Sequence, residues 1–150
     1  VSGTNAAAAK ARLLGRDNIL SALPGLSGVT VAYNMPRDAP REMVIGGDVD
    51  GTAQLSAFRG NDRLKREENL SLNIEVRVHD KGQDTTETTD ARAVEISTAI
   101  EEYIAANPKL GELPGLLKAT VDGVKLSGWL DDDGATSSVV LTIGLHSFLS

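Results

Sequence analysis

The sequence contains no cysteine, which excludes disulfides, thiolate metal ligands and a cysteine nucleophile at once. Aromatic residues make up 3% of the chain and reduce to Tyr33, Phe58, Tyr103, Trp129 and Phe148. So few rings build neither a stacking platform for single-stranded nucleic acid nor an aromatic ligand cage, and the core has to come from Val, Leu, Ile and Ala. Positive charge is also short: 15 Lys and Arg stand against 21 Asp and Glu, for a net charge of -6 and a pI near 4.9. That balance disfavours a dedicated nucleic-acid binder, which gains most of its affinity by neutralising phosphates, although it allows a surface that DNA merely passes. No window approaches the ~20 apolar residues of a membrane span, and VSGTNAAAAKARLLG lacks the basic start and apolar run of a leader. A soluble chain is expected, with the cytoplasm its simplest compartment. Motifs of the GxSxG, GxGxxG and GxxxxGK[ST] types are missing too.

At 150 residues the chain has the length of one domain with a real core. Its strongest pattern is LSLNIEVRVH, residues 70–79, where Leu70, Leu72, Ile74, Val76 and Val78 alternate with Ser71, Asn73, Glu75, Arg77 and His79. Period-two alternation predicts a strand buried on one face. In DARAVEISTAIEEYIAA, residues 90–106, Ala93, Ile96, Ile100 and Tyr103 recur at three and four residues, which predicts an amphipathic helix on that apolar face. Asn107-Pro108 ends it. A terminal hairpin follows, with Val124, Leu126 and Leu130 before a turn at residues 132–134 and Val139, Leu141, Ile143 and Leu145 after it.

Upstream, residues 5–23 read as one helix weakened in its middle by Gly15 and stopped at Pro24-Gly25. A short strand is expected around Val29, Val31, Tyr33 and Met35. Met43, Val44 and Ile45 then predict a second strand, DVDG a turn, and Ala53, Leu55 and Ala57 a third. Residues 59–69, RGNDRLKREEN, predict a polar loop or arm. The resulting order is helix, four strands, helix, two strands. That order predicts a single α+β domain over residues 1–150, a mainly antiparallel sheet of about six strands with two helices packed on it.

Candidate chemistry is sparse. Asp131, Asp132 and Asp133 precede Gly134 and could attract a hard cation, but the alternating ligands and bidentate Glu of a calcium loop do not follow, and a hairpin turn is the better reading. Asp48 and Asp50 in DVDG read the same way, as turn residues. His79 and His146 have no third ligand in view, so polar-face positions are expected. Arg59, Arg63, Lys65 and Arg66 form the basic cluster with most potential for contact, to an acidic neighbour more than to DNA, and Asp62, Glu67 and Glu68 balance it. No catalytic residue, cofactor site or metal site is expected.

Taken whole, AxxxKARLLGRDNILSALPGL, the strand near VTVAYNM, LSLNIEVRV leading into DARAVEISTAIEEYI, and GVKLSGWLDDDGATSSVVLTIGLHSFL resemble the tail terminator (tail completion) proteins of long-tailed bacteriophages. The resemblance covers nearly the full chain. It implies an α+β subunit of a hexameric ring that caps the tail tube, stops its polymerisation and offers the head-tail joining surface. The implied partners are further copies of the chain, tail tube protein and neck or connector proteins, with DNA passing through the lumen without specific binding and no membrane. The implied location is the virion tail at the head-tail junction, with assembly in the host cytoplasm. Interface candidates on this reading are Arg59, Arg63, Lys65, Arg66, Ser71, Asn73, Glu75, Arg77, Asp131, Asp132 and Asp133. The alternatives are another neck or connector ring protein, a stopper or adaptor, and at longer odds a metal-dependent hydrolase using the three aspartates with His146.

Overall fold

The structure is a computed structural model that describes residues 5–38, 40–58 and 64–149, with side chains for 7–38, 40–51 and 69–147. The described elements are α1 (Asn5–Leu14), β1 (Thr30–Ala32), β2 (Glu42–Phe58), β3 (Leu64–Asp80), α2 (Glu87–Ala106), β4 (Leu116–Asp131) and β5 (Gly134–Leu149). The strands form one five-stranded sheet in the order β1-β2-β3-β5-β4, antiparallel except for the parallel pair β1-β2. The architecture is α+β with two helices, as expected, but with five described strands against an expectation of about six.

The missing strand boundary lies in β2. Gly46, Gly47 and the DVDG segment read as a break, yet the chain continues through them as one strand of 17 residues, with a register slip between Gly46 and Val49 and a second between Leu55 and Phe58. A tight hairpin turn needs positive φ at its glycine, and neither Gly47 nor Gly51 has it. These glycines answer to crowding. A Cβ on Gly46 would lie 2.6 Å from the Tyr33 carbonyl, and one on Gly51 would lie 2.5 Å from the Asn69 carbonyl. Of the polar loop expected at 59–69, residues 59–63 lie outside the described residues, and Leu64 onward is strand, with Gln54 opposite Glu67 and Leu55 opposite Arg66.

The first helix stops at Leu14, so Gly15 ends it instead of weakening its middle. The Asn18 side chain explains the redirection, since its amide donates to the Gly15 carbonyl at 2.7 Å and its oxygen accepts from the Ser21 N–H at 2.8 Å. That bracket feeds two short 3-10 turns, Leu20–Ala22 and Pro24–Leu26, whose Leu20 and Leu26 are buried. By contrast α2 begins at Glu87, three residues before the expected Asp90. The Thr86 carbonyl accepts from the Asp90 N–H at 2.7 Å, and Glu87 and Asp90 place negative charge in the first turn, where the helix dipole favours it.

All five apolar residues of 70–78 are buried, as are Val139, Leu141, Ile143 and Leu145 directly across from them on β5. Ala93, Ile96, Ile100 and Ile104 of α2 close over this surface, and Ala9, Leu13 and Leu14 of α1 join the same core. Tyr103, expected on the buried stripe, packs at its margin, and Ile104 takes the core position. Each fully buried Leu or Ile contributes about 1.5–3 kcal/mol relative to an exposed one, so this one face supplies the bulk of the stability.

Candidate assembly surfaces

The strand order puts β3 at the centre of the sheet. Ser71, Asn73, Glu75 and Arg77 therefore lie on a face, opposite the helices, and cannot form an edge. They are half-buried there. Cross-strand partners satisfy most of this face. Glu75 accepts from Arg77 Nε at 2.9 Å and from Ser138 Oγ at 2.8 Å, and Thr142 Oγ1 donates to Asn73 at 3.3 Å. The Arg77 guanidinium also stands 5.9 Å from the Trp129 ring centroid, within cation–π range. His79 shares a 2.8 Å hydrogen bond with Thr136. The polar parity is thus a knitted surface whose charges are already paired.

Asp131, Asp132 and Asp133 sit at the β4-β5 turn, as the hairpin reading predicts. Asp131 Oδ1 accepts from the Asp133 N–H at 2.8 Å, an Asx turn, and Gly134 follows at φ 123°, a conformation side chains resist. A Cβ there would also strike the Asp80 carbonyl. The carboxylates project around a tight turn. Among the described residues no group of three His, Cys, Asp or Glu is placed to hold a metal ion. Arg59 and Arg63 lie outside the described residues, while Lys65 and Arg66 fall on the backbone of β3.

One cluster escapes sequence reading because its members are far apart in the chain. At the start of α2, Asp90 accepts from Thr86 Oγ1 at 3.1 Å and, through a very short contact, from Ser137 Oγ, which also meets Thr89 Oγ1 at 2.7 Å. Gly128 of β4 packs against it, since a Cβ there would approach Asp90 and Thr86 to 3.0 Å. This polar knot ties the helix N-terminus to β4 and β5. A second tie, the Arg92–Glu42 ion pair at 2.7 Å with Glu95 on its other side, fastens the helix to β2. Those carboxylates hold the Arg92 guanidinium above its usual pKa, the Glu42 hydrogen bond being the largest cause.

The outer half of β4 is different. Eight large apolar residues are exposed among the described residues, and five of them, Leu117, Val124, Leu126, Trp129 and Leu130, belong to this one strand. Tyr33 and Met35 follow β1, the other edge strand, which leaves Val94 as the sole member away from the sheet edges. Beside β4, a cleft of ≈ 610 Å³ runs between its residues 118–124 and Glu101, Ile104 and Ala105 of α2. Scattered apolar residues on a surface need no explanation, but a row along an open strand edge does.

Comparison with protein-family models and with curated proteins gives no match. Among solved structures, this fold is similar to a chain of the "Virion of native gene transfer agent (GTA) particle", with 17% identity, a TM-score of 0.53, and coverage of 94% of this chain and 92% of that one. At that identity the likeness is one of fold, and it extends over nearly the whole of both chains.

Proposed function

We propose that the chain is a structural virion protein of a phage-like particle, and within that class a tail terminator that closes into a hexameric ring on the tail tube. The observation that carries this reading is the end-to-end fold likeness to a chain of a gene transfer agent virion. The sequence resemblance to tail terminators supports the finer role, and the two open apolar edges suit a protein that works as an assembly. In this role the molecule acts mechanically, without catalysis: the ring occupies the growing end of the tube, denies it to further tube protein, and turns a new face toward the neck. A net negative chain suits a lumen that DNA traverses, because phosphates are repelled and do not stick.

Electron microscopy of the purified protein with tail tubes tests the reading. Rings seated on tube ends, and tubes that no longer elongate, are the expected result. Monomer alone in native mass spectrometry with tube protein present, and bare tube ends in micrographs, would overturn it. Binding to DNA-filled heads without tube capping would assign the chain to the stopper or adaptor class instead. A metal-dependent hydrolase would instead bind a divalent ion in calorimetry and lose activity, with the fold intact, in Asp132→Ala and His146→Ala variants.

A further inference from the structure

We infer that copies of this chain join head to tail through the two edges of the sheet, the outer half of β4 in one copy pairing against β1 of the next. The inference rests on the reading of the chain as a ring subunit and specifies which surfaces meet. Its basis is register. Following partners across the sheet, Val31 lies in the same row as Val44, Val76, Val139 and Leu126, and Thr30 in the same row as Met43, Arg77, Ser138 and Ser127. The short β1 thus stands at the height of residues 125–127 of β4, in the middle of the exposed apolar stretch. The strand directions also agree: counting pairings across the sheet makes β1 and β4 antiparallel, so a neighbouring copy in the same orientation brings β1 to β4 as an antiparallel pair.

Side chains match along the same heights. Tyr33 passes over Gly46, whose row ends at Val124 on the far edge, and Lys10 sits 4.1 Å above the Tyr33 ring. At the other end, the Arg41 carbonyl accepts from the His79 N–H, which sets Arg41 at the height of Trp129; its side chain, which also pairs with Asp80, is 70% exposed. Asp131 lies two residues beyond Trp129. One edge therefore presents apolar residues beside the Arg41 cation, and the other presents apolar residues beside the Asp131 carboxylate. Natural edge strands are commonly blunted by lysine, proline or brevity; β1 is brief, but residues 123–131 of β4 carry one lysine, Lys125, among four large apolar side chains. An edge left so open is one that another strand covers. Because the two patches differ, the contact is heterologous, the kind that generates rings.

The absence of cysteine makes the test direct. Thr30 and Ser127 are both exposed and share a row, so Thr30→Cys and Ser127→Cys are made singly and together in the full chain and treated with a short bis-maleimide cross-linker. The double variant is expected to give a ladder of covalent oligomers and each single variant none. A dimer from Ser127→Cys alone would show β4 against β4 and overturn the inference, and so would the absence of a ladder from the double variant. As a second arm, Leu126→Lys is expected to leave the thermal melt unchanged and abolish oligomers in sedimentation velocity; intact oligomers would count against the edge contact. The two readings fail separately. Capped tubes without a ladder would leave the terminator reading standing and remove the edge contact, whereas a ladder without tube capping would do the reverse.

Discussion

Val139 and Leu126 are neighbours in one row of the sheet and point to the same face, yet Val139 is fully buried and Leu126 is 45% exposed. The same holds two rows away for Leu141, buried, and Val124, 56% exposed. Residue type, strand parity and register are equal within each pair. What separates them is the helix: α2 closes over β3, β5, the first residues of β4 and Gly128, and leaves Val124 and Leu126 between them bare. Apolar alternation in a strand therefore reports which face is to be covered, while the identity of the cover, a helix of the same chain or a strand of another, is decided by topology.

The covered half can be broken most severely. Ile100→Asp sets a charge with no partner at the centre of the α2 face, a cost of several kcal/mol set against total stabilities of about 5–15 kcal/mol. Loss of the cooperative thermal transition is expected by circular dichroism; a melt close to wild type would mean the helix packs by another face. Next in size is the polar knot at the start of α2. Asp90→Ala removes the acceptor of Ser137 Oγ and Thr86 Oγ1, leaving Ser137 only its bond to Thr89, and losing such an acceptor costs about 1–3 kcal/mol, or about 2–4 °C per kcal/mol for a domain of this size. Ring formation should survive at low temperature, because the open edge is untouched.

On the uncovered half, the effect on folding shrinks as the effect on assembly grows. Leu130→Ser is expected to shift stability by less than about 0.5 kcal/mol, as surface changes do, while weakening association. A matching drop in melting temperature of the monomer would show that this residue is already covered within one copy. The smallest effect is on pH dependence. Burial raises the Tyr103 pKa above its ordinary value, with Arg12 opposing that more weakly, so the folded state holds the proton more tightly than the unfolded chain. Its contribution is complete below the unfolded value of about 10 and is lost as pH rises through the folded one. Tyr103→Phe should remove that part of the alkaline decline in thermal melts, and an identical decline in both proteins would assign it elsewhere.

The same contrast separates what is legible in the sequence from what is not. Leu70 to Val78, Val139 to Leu145 and the helix stripe through Ile96 and Ile100 are legible because each is a local period with its own cover. Gly46 and Gly51 mislead because glycine carries two meanings, freedom to turn and room for a neighbour, and only the approach of Tyr33 and Asn69 decides between them. The residues from Leu64 to Asn69 mislead because polarity suggests a loop, whereas backbone pairing to β2 and β5 holds them extended. The knot of Thr86, Asp90 and Ser137 leaves no signal, since nothing in the spacing of three polar residues announces that they converge. Among the interface candidates, alternation alone puts Glu75 and Arg77 on the right face of the strand, but their pairing with Ser138 and Trp129 requires β5 and β4 to be in register.

Among the register slips, the one between Gly46 and Val49 in β2 and the one between Val121 and Gly123 in β4 each add twist to the strand that bears it. One of this pair lies toward each open edge. Where copies meet edge to edge on rigid sheets, the angle turned from one copy to the next is the angle between a sheet's own two borders, and the number of copies in a closed circle is a full rotation divided by that angle. Subunit number then becomes a matter of arithmetic on sheet curvature, and straightening either slip would open the circle into a spiral or close it with a different count while leaving every contact residue in place.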